Sequence, residues 1–318
     1  MSKKFEIPNP SSMPRFSGIR SFMRLPYQQE IDQKDFVILG APFDTSASYR
    51  SGARFGPEAI RRSSVLLRPA NVFHQIRPFD YLEGVDGGDV MVIPGNTLQS
   101  HQYITEHVKE WAKKGAVPIV LGGDHSISLP ELRALASVHG PLSLIHFDAH
   151  GDTWDEYWGE KYTHGTPFRR ALEEGIINPS RSIQVGMRGT VYDPNDINEA
   201  RDLGFEVITS DEMRIIGLNE TISRVRERVG NEKVFLTFDI DFLDPVYAPG
   251  TGTPEIAGFT SVEAQHMLRQ LSGLNFIGFD LVEVLPALDP SEVTALTAAS
   301  IVFEFLSLLA VSKRDSNN

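Results

Sequence analysis

Short apolar runs alternate with amphipathic stretches from residue 36 onward. Phe36-Val-Ile-Leu-Gly40 is apolar throughout and ends in glycine, as a parallel strand buried on both faces does. Similar runs occur at 116–121, 142–147, 182–185, 206–209, 234–238 and 276–280. Between them, 101–114, 129–139, 218–229 and 261–271 carry apolar residues at helical spacing. Pro57-Glu58 reads as a helix start, and 301–311, interrupted only by Glu304 and Ser307, as a buried helix. Strands alternating with helices predict an α/β fold with a parallel sheet covered on both faces. No linker or repeat divides the chain, so one domain over 35–318 is expected. Residues 1–34 are polar and contain prolines; they read as an N-terminal arm on the surface or on a neighbouring subunit.

Composition narrows the function. The 318 residues are 41% hydrophobic and 23% charged, which excludes disorder, collagen and coiled coil. Thirty basic against 42 acidic residues give a net charge of −12. That field repels phosphate backbones and anionic lipid, so neither nucleic acid nor a membrane surface is expected as main partner. No stretch approaches ~20 apolar residues, and the N-terminus lacks the apolar core of a secretory signal. A cytoplasmic location is expected. The chain has no cysteine, which excludes disulfides, thiolate catalysis and sulfur-ligated metals.

Ligands of such sheets bind beyond the carboxyl ends of the strands. Four strands run out into polar clusters: Gly122-Gly-Asp-His125, Asp148-Ala-His-Gly-Asp152, Asp239-Ile-Asp241 and Asp280-Leu-Val-Glu283. In an extended segment residues two apart share a face. Asp148, His150 and Asp152 therefore converge, as do Asp239 and Asp241. Carboxylates that close repel one another unless a cation sits among them. A single Asp-x-Asp is ordinarily a turn or a helix cap; three such clusters at strand ends point to metal. Oxygen-rich ligation with some imidazole suits Mn²⁺, and six ligands suit a pair of ions ~3.5–4 Å apart.

The chain resembles the ureohydrolases, the family of arginases, agmatinases and their relatives. The resemblance spans nearly the whole sequence. It rests on Ser51-Gly-Ala-Arg-Phe-Gly-Pro57, Gly122-Gly-Asp-His-Ser126, His146-Phe-Asp-Ala-His-Gly-Asp-Thr153, His164-Gly-Thr-Pro-Phe168 and the segment from Phe238 to Pro254. It implies a three-layer, doubly wound sandwich around a mostly parallel eight-stranded sheet, with two Mn²⁺ per subunit in a homotrimer or homohexamer. By position, His125 and Asp152 would bind one ion and His150 and Asp241 the other, with Asp148 and Asp239 as bridges. His164 would be the proton shuttle and Glu283 the holder of the guanidinium. His146 reads as a buried strand histidine that orients its neighbours.

The substrate tail is read from the loop between Asp152 and His164. Arginases bind the α-amino acid end through Asn and Ser in this loop, and here it has neither. A zwitterion left without partners binds poorly. The loop instead carries Trp154, Tyr157 and Trp158 with Asp155, Glu156, Glu160 and Lys161. An acidic, aromatic wall suits agmatine, cleaved to putrescine and urea; Tyr157 and Glu160 are the candidate contacts. The loop also resembles guanidinopropionase and guanidinobutyrase, whose acid tails would be received by Lys161, Arg50 or Arg54.

Overall fold

The computed structural model describes Pro8 and residues 13–316. Its strands are β1 (Phe36–Ala41), β2 (Gly84–Asp89), β3 (Val117–Gly122), β4 (Ser143–Phe147), β5 (Ile183–Val185), β6 (Glu206–Ile208), β7 (Lys233–Asp239) and β8 (Asn275–Val282). They form one sheet in the order β2-β1-β3-β8-β7-β4-β5-β6. Every pairing between neighbours is parallel, so the sheet is wholly rather than mostly parallel.

Successive side chains of β1 enter opposite cores. Phe36 and Ile38 join a cluster with the helices Gly56–Ser64, Leu218–Val229, Ser261–Arg269 and Val293–Ser316. Val37 and Leu39 join the other, with Thr97–Lys113, Ser128–His139 and Pro167–Glu173. Helix Val293–Ser316 is much longer than the run 301–311 read from sequence. By length and composition it could cross a membrane, yet most of it is buried against the sheet, including Glu304, which pairs with Arg269 at 2.6 Å.

Strand β2 has no counterpart among the apolar runs. Its sequence is Gly-Val-Asp-Gly-Gly-Asp. It is an edge strand that holds polar contacts: buried Asp86 accepts two bonds from Arg61, at 2.9 and 3.0 Å, and one from the Phe22 amide at 2.7 Å. Gly84 lies against the Phe36 ring, where a Cβ would come within 2.2 Å. Part of the N-terminal segment, residues 21–25, departs from the expected surface arm. Residues 1–7 and 9–12 lie outside the described residues, but Phe22, Met23 and Leu25 are buried in the first core rather than on the surface.

The polar strand ends belong to β3, β8, β7 and β4. These are far apart in sequence and adjacent in the sheet. Their carboxyl ends therefore form one rim.

Candidate metal centre

Turns, not strand alternation, bring the paired residues together. β4 stops at Phe147, and Asp148 Oδ1 accepts the His150 amide at 2.6 Å. Asp239 Oδ1 accepts the Asp241 amide at 2.8 Å, and Asp124 Oδ1 the Ser126 amide at 3.0 Å. In each case the first carboxylate closes a turn on the residue two further along, a bond that Asp side chains make readily. The second oxygen, Oδ2, of both Asp148 and Asp239 faces His125.

The two histidines define two halves of the site. His125 Nδ1 lies 3.0 Å from Asp148 Oδ2, 3.0 Å from Asp152 Oδ2 and 3.1 Å from Asp239 Oδ2. His150 Nδ1 lies 3.3 Å from Asp148 Oδ1 and 3.2 Å from Asp241 Oδ2. Asp148 thus offers one oxygen to each half, the placement a bridging ligand needs. The structure puts Asp239 beside His125. Donor atoms of His125, His146, Asp148 and Asp152 lie within 4.8 Å of one another, as do those of Asp148, His150 and Asp241. His125 Nδ1 is buried and forms no hydrogen bond although three carboxylate oxygens surround it. That orphaned nitrogen among carboxylates fits a cation. All six residues read as ligands converge.

Electrostatics say the same. Burial, then the charges of Asp241 and Asp148, pushes Asp239 well above the usual carboxylate range. Burial and Asp148 raise Asp241 to about 6. Burial opposes ionisation of Asp148 as well, but His146, His125 and His150 hold it well below the usual range. Without a cation the site must keep protons; a bound metal would remove that need.

His146 has a hydrogen-bond partner at each ring nitrogen. Gln184 Nε2 donates to the Gly151 carbonyl at 2.6 Å, which fixes the amide's orientation, and reaches His146 Nδ1 at 3.0 Å. His146 Nδ1 is therefore the acceptor, and its Nε2–H donates to Asp148 Oδ2 at 2.7 Å. The expected orienting role holds, and Gln184 is the partner that sequence alone did not mark.

His164 and Glu283 sit beside the ligands. Glu283 Oε1 is 2.9 Å from His164 Nδ1 and accepts the His125 amide at 3.0 Å. His164 Nε2 accepts the Ser48 amide at 3.0 Å and lies 2.7 Å from Ser48 Oγ. Burial lowers the His164 pKa, but Glu283, Asp152 and Asp124 outweigh it and bring it to about 9. The Ser48 amide can only donate, so it favours the neutral ring; the surrounding carboxylates favour the charged one. Opposed influences suit a group that takes and gives a proton. Asp152 and Glu283 both have left-handed backbone, with φ of 49° and 63°. Such strain costs ~1–3 kcal/mol per residue and collects at functional sites.

A cleft of about 910 Å³ leads to the centre, lined by His150, Asp152, His164, Ser48 and the aromatic wall. Trp154, Tyr157 and Trp158 all line it, joined by Tyr192, whose ring centroid is 5.7 Å from that of Trp154. Glu160 does not line it. It lies across a two-residue turn from Tyr157, exposed to solvent, and Glu156 faces the cleft instead. Of the three candidate receivers of an acid tail only Arg50 lines the cleft. Arg54 is held by Asp44, and Lys161 stands 3.8 Å from Asp155.

The arginase family pattern matches residues 34–307. The chain belongs to the arginase family. It is 46% identical over 310 residues to "Agmatinase, mitochondrial" of Gallus gallus, covering 97% of this chain and 91% of that protein. It is 44% identical over 302 residues to the guanidinobutyrase of Pseudomonas aeruginosa, covering 94% and 95%. The solved structure of proclavaminate amidinohydrolase from Streptomyces clavuligerus superposes with a TM-score of 0.91 at 39% identity, covering 94% of this chain and 99% of that one. This arginase-family member is a hydrolase of guanidino C–N bonds with the arginase fold.

Proposed function

We propose that the protein hydrolyses a short linear guanidino compound, agmatine in the first instance, to urea and a primary amine at a two-manganese centre. The observation that carries this reading is the pair of imidazole–carboxylate half-sites sharing Asp148, open to the cleft beside His164. Four carboxylates and two imidazoles without sulfur suit Mn²⁺. When bound, such ions acidify water and supply a nucleophile at neutral pH.

The chain's own residues do the rest. The guanidino carbon is a poor electrophile because resonance spreads its charge, and the departing amine must be protonated. His164, whose ring lines the cleft beside the metal-site residues, delivers that proton. Glu283 orients His164 through Oε1, which leaves Oε2 for the guanidinium. Gly252 lines the cleft over this oxygen; a Cβ there would lie 3.4 Å from Oε2. The missing side chain keeps Glu283 within reach of substrate.

For the tail, Glu156 and Glu255 line the cleft and favour the ammonium of agmatine. Arg50 supports a second reading, a guanidino acid such as guanidinobutyrate or guanidinopropionate. Urea release from agmatine, arginine, guanidinobutyrate and guanidinopropionate with Mn²⁺ separates them. Agmatine turnover that falls in Glu156→Gln and Glu255→Gln supports the first. Turnover of the acids that falls in Arg50→Ala supports the second. No urea from any of the four overturns both.

A further inference from the structure

Arg188 lies just past the end of β5, and its guanidinium reaches six main-chain carbonyls. Nη2 donates to those of Asp241 at 2.6 Å, Glu255 at 2.9 Å and Leu243 at 3.3 Å. Nη1 donates to those of Phe242 at 3.2 Å and Gly186 at 3.3 Å, and Nε to that of Ile256 at 3.1 Å. The five N–H groups of a guanidinium lie in one plane, so a single side chain can hold carbonyls on several sides at once. The Arg188 amide donates to the Ala149 carbonyl at 3.0 Å, inside the turn that carries Asp148 and His150.

Five of the six carbonyls fall in two groups. Asp241, Phe242 and Leu243 belong to the turn that holds a candidate ligand. Glu255 and Ile256 lie where the chain returns from an excursion whose last part, Gly252 to Glu255, lines the cleft. The base of that excursion is closed by Leu243 and Phe259, paired as an isolated bridge. Glu255 stands short of that tie, and Arg188 extends the tie to it. Gly189 completes the seat. Its φ is 82°, and a Cβ there would come within 2.2 Å of Glu255 Oε2. Arg188 thus fixes the backbone of Glu255, and the side chain of Glu255 lies against Gly189.

We propose that Arg188 is a positioning residue that sets the separation between Asp241 in the candidate metal centre and Glu255 at the tail end of the cleft, and thereby makes the site read the length of its substrate. The inference rests on the reading of Glu255 as a receiver of the ammonium tail. A carboxylate held at one distance from the reacting carbon favours one number of methylenes, because a tail of another length leaves the charged groups unpaired. Lysine keeps the charge of Arg188 but has three donors on one nitrogen and no planar fork. Methionine keeps only the apolar stem.

The test measures kcat/KM for urea release from ω-aminoalkylguanidines with three, four and five methylenes, agmatine being the second, per manganese bound. Ratios between lengths are the readout. A variant that merely unfolds part of the sample lowers all three values together and leaves the ratios unchanged. Wild type should favour one length by ~10-fold or more. That preference should fall about fivefold in Arg188→Lys and in Arg188→Met, and Glu255→Gln combined with Arg188→Lys should lose no more than Glu255→Gln alone. Wild-type ratios in either Arg188 variant, folded by circular dichroism, would overturn the inference. So would losses that simply add in the double variant, which would show that Arg188 does not act through Glu255. Failure of both Arg188 variants to fold would show that the clamp serves the fold alone, and would overturn it too. Wild-type ratios in Glu255→Gln would instead sink the reading of Glu255 as the tail receiver, and this inference with it. A wild type that turns over all three lengths equally, or none of them, would do the same.

Discussion

At the scale of single residues the site works by dividing the atoms of each side chain between two duties. Asp148 and Asp239 close turns with one oxygen and face His125 with the other. Glu283 holds His164 with Oε1 and keeps Oε2 for substrate. Removing His164 should therefore lower kcat by ~10²-fold or more while bound metal, counted by atomic emission, stays unchanged. Gly252→Ala is a finer probe. Its Cβ would meet Glu283 Oε2 at 3.4 Å and the Arg50 carbonyl at 3.3 Å, contacts that a fold tolerates and that cover the oxygen. We expect kcat/KM to fall at least tenfold with little change in Tm; an unchanged kcat/KM would remove Oε2 from guanidinium binding. The six candidate ligands were legible in the sequence because their clusters follow strand ends, and His164 only through the motif it shares with the ureohydrolases. Ser48 and Gln184 were not, since a lone hydroxyl or amide acquires meaning only from the atom opposite it.

At the scale of elements the apolar runs are read well and the polar ones poorly. Seven strands announce themselves by short, predominantly apolar runs, because both faces of a parallel sheet are covered. β2 does not, because its contribution is an ion pair and a close approach at Gly84 rather than two apolar faces. Arg61 and Asp86 lie in the interior with side-chain exposures of 9% and 0%. Breaking a buried pair strands the remaining charge. Arg61→Ala should cost about 3–5 kcal/mol in denaturant unfolding, far more than the surface pair of Lys113 and Glu110. A cost below ~1 kcal/mol would mean that water reaches Asp86 and that the edge strand is held by other means. Convergence within each motif also needed the structure: spacing of two suggested a shared strand face, whereas capped turns at the strand ends do the work.

At the scale of the whole molecule, four strands that are distant in the chain end side by side, and the charge they gather makes stability depend on metal and pH together. Asp241 stands at about 6, raised by burial and Asp148, and Asp124 at about 7, raised by burial and Glu283. His164 stands at about 9, where the carboxylates around it outweigh its burial. Groups raised in the fold contribute stability that is full below their unfolded values, ~4 for the carboxyls and ~6.5 for the histidine. That stability is lost as pH rises through the folded values. The metal-free chain should therefore show a falling Tm from pH 5 to 8, and Mn²⁺ should remove most of the fall; a flat metal-free profile would contradict the charge distribution described. Period and motif along the chain determined that this is a parallel α/β protein of the ureohydrolase kind and which residue types meet at its centre, because burial and metal chemistry both leave local signatures. Only the tertiary structure decided which oxygen faces which histidine, that Arg50 and Glu156 rather than Lys161 and Glu160 line the cleft, and that Arg188 joins the Asp241 turn to Glu255. Those facts depend on strands and loops from remote parts of the chain meeting at distances of about 3 Å, which local sequence does not encode.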